Sequence, residues 1–273
     1  MSIYDKIFPP KKMVLSNGKT VLKPASRLPL IALILVLFTA LSVKITGFDL
    51  GVLKERGSQF FVILGMMAPP EWGYSTQVWK PLFDTLKMSL LGTVIGAVTV
   101  IPFAMAASTN IVKNNAAVGI MRLFLSIVRT LPTLVTALIA TYVFGLGTLA
   151  GTTAIAVFTF AYMGKILYEE IETADMGAFE AMEAIGATKV RAFVRAIIPQ
   201  VLPSYISNGL FCFEGNVRYA AILGYVGAGG LGLILNEKLG WREYPSVGMI
   251  LIMLFVTVFF IETVSRYCRR KLV

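Results

Sequence analysis

Uncharged apolar runs alternate along this chain with short segments that hold nearly all of its charge. Leu28 to Val43 is uncharged and almost entirely apolar. Met88 to Val112 and Thr130 to Gly164 also lack charge, as do Ala196 to Phe213 and Pro245 to Ile261. A helix needs roughly 20 apolar residues to cross about 30 Å of hydrocarbon. As a single helix, 130–164 would be about 52 Å long at 1.5 Å per residue, too long for one crossing. Gly145, Gly147 and Gly151 sit near its middle. The run therefore splits into two helices joined by a tight turn, with Arg122 and Lys165 marking the ends of the pair on one side. The pattern predicts six membrane helices.

Composition agrees. Of the residues, 56% are hydrophobic and 15% charged, against about 25% charged in a soluble domain. Six crossings put both termini on one side, and clustered Lys and Arg mark the cytoplasmic side. The leader, 1–27, carries Lys6, Lys11, Lys12, Lys19, Lys23 and Arg27 against Asp5. The tail, 266–273, carries Arg266, Arg269, Arg270 and Lys271 and no acid. The loops expected outside are balanced. Residues 47–80 hold Lys54, Arg56 and Lys80 against Asp49, Glu55 and Glu71; residues 223–244 hold Lys238 and Arg242 against Glu237 and Glu243. Both termini are thus expected in the cytoplasm. The divisions are a leader (1–27), a first membrane helix (28–46), an outer loop (47–80), a membrane core (81–265) with a cytoplasmic hairpin (172–199), and a tail (266–273). Trp72, Tyr74 and Trp79 suit the outer membrane–water interface, and part of the loop is expected to lie along the surface as a short helix. The first run follows a charged leader and ends at Lys44 rather than at a small-residue cleavage site, so it reads as a retained span. Segregated charge also accounts for the net +10 and the pI near 9.6 without nucleic acid.

Several chemistries are excluded. The chain has no histidine. Cys212 and Cys268 are far apart, so neither a zinc site nor a redox pair is supported. Gly18-Lys19-Thr20 ends like a P-loop, but position 13 is Met where the first glycine belongs, and no strand or long helix is expected beside it. Gly227-Ala228-Gly229-Gly230-Leu231-Gly232 matches G-x-G-x-x-G. A dinucleotide site needs an acid about 20 residues on, where this chain has Val247 to Ile252 in an apolar run. The glycines read instead as broken backbone at membrane depth, tolerated only against a cavity or other protein. No catalytic residue and no metal ligand is expected.

Residues 172–203 are amphipathic at helical spacing. Phe179, Met182 and Ile185 form one apolar stripe, with Glu180 and Glu183 beside it. Gly186 interrupts the pattern, and Thr188 can cap a new helix. Val190, Phe193, Val194 and Ile197 form a second stripe, flanked by Lys189, Arg191 and Arg195, and Pro199 stops it. The element is a helical hairpin, lying on the membrane or docking a partner.

Glu180-Ala181-Met182, three residues, Gly186, nine residues, then Ala196-Ile197-Ile198-Pro199 resembles the coupling motif of ABC importer permeases. That pattern is Glu-Ala-Ala, three residues, Gly, nine residues, Ile-x-Leu-Pro. Met182, Ala196 and Ile198 depart from it, while the spacing is intact. Other stretches resemble the phosphonate-type permease family: Thr85 to Thr93, Ile101-Pro102-Phe103-Ala104, Arg129-Thr130-Leu131-Pro132, Pro199 to Pro203, and Phe213 to Arg218 leading into Leu223 to Gly232. The resemblance covers about residues 82–270, and permeases for methionine and other solutes share the coupling segment. It implies an all-α, six-helix type I ABC importer permease fold in a bacterial inner membrane. It implies that Glu180, Ala181, Met182, Glu183, Gly186, Ala187 and Pro199 couple to a separate ATPase, and that Gly227, Gly229 and Gly230 form a gating turn. The partners implied are two ATPase subunits that bind ATP and Mg, a second permease copy or a similar permease, and a periplasmic solute-binding protein. No cofactor is implied on this chain.

Glu214, Asn216 and Arg218 are polar groups at or near the fifth span, where charge is costly. They form a structural Glu–Arg pair at i and i+4 or line the translocation path. Arg129 with Thr130 either favours an anion there or snorkels to the interface. A secondary transporter would show internal repeats, and none is convincing; a membrane enzyme lacks candidate residues.

Overall fold

The computed structural model describes residues 11–14, 18–23 and 28–272, which fall into two units divided after Val62. Asp5, Lys6 and Arg27 of the basic leader lie outside the described residues, as does Val273.

In the first unit, β1 (Lys11–Val14) pairs antiparallel with β2 (Thr20–Lys23). A strand therefore does follow Gly18-Lys19-Thr20, against expectation. Gly18, at φ +77°, serves the turn of this small hairpin, which is the one non-helical element among the described residues. The helix α1 (Leu28–Thr46) has no buried residue. Being apolar all round, it matches a lipid environment on every side.

Residues 47–80 are far more helical than the loop expected there. They hold α2 (Leu50–Met66), a short turn at Trp72–Tyr74 and the first turns of α3 (Ser75–Ala107). Asp49 Oδ1 accepts from the Gly51 amide at 2.7 Å at the start of α2. Lys54, Glu55 and Arg56 interrupt the apolar run without breaking the helix, so hydropathy understates it. Trp72 and Trp79 are exposed, but Tyr74 is buried, with Lys238 Nζ 5.0 Å from its ring centre.

The second unit continues with α4 (Asn115–Thr130), α5 (Thr133–Phe144) and α6 (Thr148–Thr173). Then follow α7 (Gly177–Ala184), α8 (Lys189–Ala192), α9 (Ile198–Leu223), α10 (Leu231–Gly240) and α11 (Tyr244–Leu272). Five described helical stretches are long and apolar enough to cross a membrane, and the pair α4–α5, bent by 85°, makes a sixth. The count agrees with the sequence pattern; the boundaries differ. The second span starts at Ser75 rather than Met88, because Lys80, Asp84 and Lys87 ride on a continuous helix. The third starts at Asn115, where the Asn114 side chain accepts from the Ala116 and Ala117 amides at 3.0 and 3.3 Å. It bends at Leu131-Pro132, since a residue before proline disfavours helical geometry. Arg122 therefore marks no end. It turns inward, donating to the Ala107 carbonyl at 2.8 Å, pairing with Glu172 and stacking over Tyr168. The tight turn expected between the third and fourth spans is present at Gly145–Gly147, while Gly151 lies inside α6.

In lipid, helices associate by close packing of small residues rather than by hydrophobic exclusion from each other. Gly92 and Gly96, spaced G-x-x-x-G on α3, face α6. A Cβ at Gly92 would lie 2.8 Å from the Thr152 carbonyl oxygen, and one at Gly96 would lie 2.5 Å from that of Ala156. This close approach is the seam of the unit.

Candidate functional site

The hairpin is built as a rigid bracket. Asp175 Oδ1 accepts from the Gly177 amide at 2.9 Å as α7 begins, and buried Phe179 anchors the helix. At its end the Gly186 amide bonds the Glu183 carbonyl at 2.9 Å, and the Ala187 amide bonds that of Met182 at 3.0 Å. With Gly186 at φ +87°, this is the Schellman closure, which needs a left-handed residue after the helix. Thr188 then caps α8 by accepting from the Arg191 amide at 3.4 Å.

The base of the bracket is tied to the bundle. Gln200 accepts from the Asp175 amide and donates to the Asp175 carbonyl, both at 3.0 Å. Lys189 Nζ reaches the Ile111 carbonyl at 3.0 Å, and Asn110 Nδ2 that of Ile171 at 2.7 Å. Glu172 accepts from the Thr109 amide at 2.8 Å and from Arg122.

Two expectations for the hairpin change. Ile185 is 83% exposed and does not share the buried face of Phe179, because the Schellman turn swings it outward. Pro199 does not stop the helix. It occupies the first turn of α9, where a missing N–H costs nothing. A π-turn over Phe193–Ile197 precedes it, with the Ile198 amide bonding the Phe193 carbonyl five residues back. The helical path therefore runs unbroken from Lys189 into the fifth span. Glu180, Ala181, Ile185, Gly186, Val190 and Val194 all lie exposed, with Met182, Glu183 and Ala187 half-buried between them. The hairpin thus presents an open apolar surface edged by Glu180.

A second group lies within α9, which extends to Leu223 rather than ending at Phe213. Asn216 is buried and donates to Thr93 Oγ1 of α3 at 2.8 Å and to Thr159 Oγ1 of α6 at 2.9 Å. It knots three helices. The Glu214 side chain, 6% exposed, pairs with Arg218 at 3.0 Å, whereas Arg218 itself is 48% exposed. Arg218 borders a cavity of about 420 Å³ whose wall includes Phe158, Tyr162, Phe211 and Tyr219. Arg129 and Thr130 stand exposed at the end of α4 and neither bond nor ion-pair with this group.

The third group is the glycine turn. Gly227, Gly229 and Gly230 all have positive φ. A Cβ at Gly229 would lie 2.8 Å from the Thr148 amide nitrogen, so the turn lies against the Gly145–Gly147 turn, joined by a bond from the Gly147 amide to the Gly227 carbonyl at 3.0 Å. Thr85 fastens the far side. Its hydroxyl accepts from the Leu231 amide at 2.7 Å and donates to the Pro81 carbonyl at 2.8 Å. Beyond it, Lys238 meets Glu243 at 2.6 Å, and that contact holds the ammonium pKa above the ordinary lysine value.

Thr159 and the Arg122–Glu172 tie carry no signal of function in a single sequence, and the family-like stretch Thr85 to Thr93 gives no sign of the bonds its two threonines make. The α3–α6 seam went unread, although the G-x-x-x-G spacing of Gly92 and Gly96 is a signal that could have found it.

A family model, binding-protein-dependent transport system inner membrane component, matches residues 100–273. The phosphite transport system permease protein PtxC of Stutzerimonas stutzeri is 32% identical over 76% of this chain and 76% of its own length. The phosphate-import permease protein PhnE of Mycolicibacterium smegmatis is 31% identical over 77% of this chain, which spans only 40% of that protein. Among solved structures, the inward-facing MetNI methionine ABC transporter superposes with a TM-score of 0.65. Its sequence identity is 21%, and the match covers 74% of this chain and 99% of that one.

Proposed function

This chain belongs to the binding-protein-dependent transport system inner membrane components, the permease subunits of ABC importers, and from that premise we propose that its cargo is phosphonate or a related phosphorus oxyanion such as phosphate or phosphite. The observation that carries the cargo is Arg218, half exposed on an otherwise aromatic and apolar cavity wall. A guanidinium matches the tetrahedral oxygens of such an anion in pairs. Phosphite and phosphate are also the solutes named for the two relatives. The path must release what it holds, and a half-solvated arginine binds weakly enough to do so.

The remaining parts follow the same reading. The termini and the hairpin lie in the cytoplasm of a bacterial inner membrane. The surface around Glu180, Ala181, Met182, Glu183, Gly186 and Ala187 seats in an ATPase subunit, which binds ATP and Mg. Two permease copies and two ATPases make the transporter, and a periplasmic binding protein delivers solute. Movement of the hairpin passes through Pro199 into α9 without a joint, since that helical path is continuous. The turn at Gly227, Gly229 and Gly230 gates the far end.

Arg218→Gln tests the cargo. Losing one charged contact at a half-exposed site costs about 1.5 kcal/mol, or roughly tenfold in KM. Uptake of methylphosphonate and inorganic phosphate by the assembled complex should show that rise. An unchanged KM for both, or transport of methionine in their place, would reject an oxyanion path through this cavity.

A further inference from the structure

Arg269 was expected in a basic tail, but α11 continues to Leu272 and carries it back into the bundle. Its guanidinium lies 3.6 Å from Glu214 Oε2 and 5.5 Å from the ring centre of Phe211 on α9. Oε2 accepts no hydrogen bond from any described residue, so Arg269 meets it as a charge partner. Oε1 is taken by Arg218 at 3.0 Å. One buried carboxylate thus sits between two arginines of different exposure: Arg218 is 48% exposed, Arg269 26%. Phe211, beneath Arg269, lines the same cavity as Arg218.

A buried carboxylate paired with a single arginine cancels its charge. Two arginines and one carboxylate instead leave one net positive charge, and only the Arg218 head is presented to the cavity. We propose that Arg269 is a positioning residue for anion passage. By holding part of the Glu214 charge, it keeps Arg218 electrostatically available to a passing oxyanion. The inference rests on reading the cavity as the oxyanion path. It goes beyond that reading by giving the last turn of α11 a part in selectivity.

The test uses the full complex with its ATPase and binding protein in proteoliposomes, and measures uptake of methylphosphonate and inorganic phosphate. Arg269→Gln should raise KM about tenfold, because Glu214 then neutralises Arg218 completely. Adding Glu214→Gln to that variant restores the net charge, and KM should return to within about twofold of wild type. Arg269→Lys should stay close to wild type. A purely structural tie predicts the opposite, since the double variant has lost both polar contacts and should be no better than Arg269→Gln; that result overturns the proposal. If Arg269→Gln fails to accumulate, Glu214→Gln alone decides: KM should fall, and an unchanged KM overturns the proposal. If Arg218→Gln also transports normally, the fault lies with the oxyanion path itself.

Discussion

Gly186→Asp should reach the membrane at the wild-type level and lose both oxyanion uptake and co-purification with the ATPase. The two halves of this result have separate causes. A Cβ at Gly186 meets nothing within 4 Å, so the bundle itself does not resist the side chain. The left-handed backbone at φ +87° adds about 1–2 kcal/mol for a residue other than glycine, and aspartate is among the residues that bear it best. The large cost falls on the complex. The new carboxylate stands beside Glu180 and Glu183, at the negative end of α7, on the surface proposed to dock the ATPase. Burying an unpaired charge costs several kcal/mol, which is roughly a hundredfold or more in affinity. Membrane-fraction blots, pull-down of the ATPase and uptake assays check it. Normal pull-down with normal uptake would remove the hairpin from the coupling role.

Gly96→Leu should have the opposite signature, failing before any partner is involved. A Cβ there lies 2.5 Å from the Ala156 carbonyl oxygen and 2.8 Å from the Phe160 amide nitrogen. Both are backbone atoms of α6 and cannot rotate away, so the helices must separate along their seam. Overpacking costs about 1–3 kcal/mol even where side chains can adjust, and here the whole contact is forfeited. Protein in the membrane fraction should fall several-fold, with a lower melting temperature in detergent. Gly119→Leu, at an exposed position on α4 with nothing within 4 Å of its Cβ, should match wild type. Equal levels for the two variants would mean that the α3–α6 seam is not the stabilising contact.

The number of spans and the hairpin were legible because each rests on local signals. Apolar runs report membrane crossings directly, and the Glu180 to Pro199 spacing includes a glycine whose left-handed conformation is needed on the spot. Span boundaries were less legible, because charged residues such as Lys80 and Arg122 sit on continuous helices, and Arg122 pairs with Glu172, distant in sequence. Pro199 reads as a stop in one dimension. In three dimensions the π-turn before it lets the helix continue. The polar residues Glu214, Asn216 and Arg218 stand together along α9, yet the structure separates them. Asn216 is spent on two threonines, and Arg218 alone opens to the cavity. Arg269 could not be found from sequence at all, since its meeting with Glu214 depends on the register between α9 and α11.

This chain is expected to move an oxyanion only when an ATPase drives it through the hairpin. The most direct measurement reconstitutes the chain in liposomes with candidate ATPase subunits and a solute-loaded binding protein, and follows ATP hydrolysis and phosphorus uptake together. Hydrolysis should be stimulated by phosphonate- or phosphate-loaded binding protein and depend on this chain, and uptake should stop without ATP. Uptake that proceeds with no ATPase present, driven by an ion gradient, would contradict it.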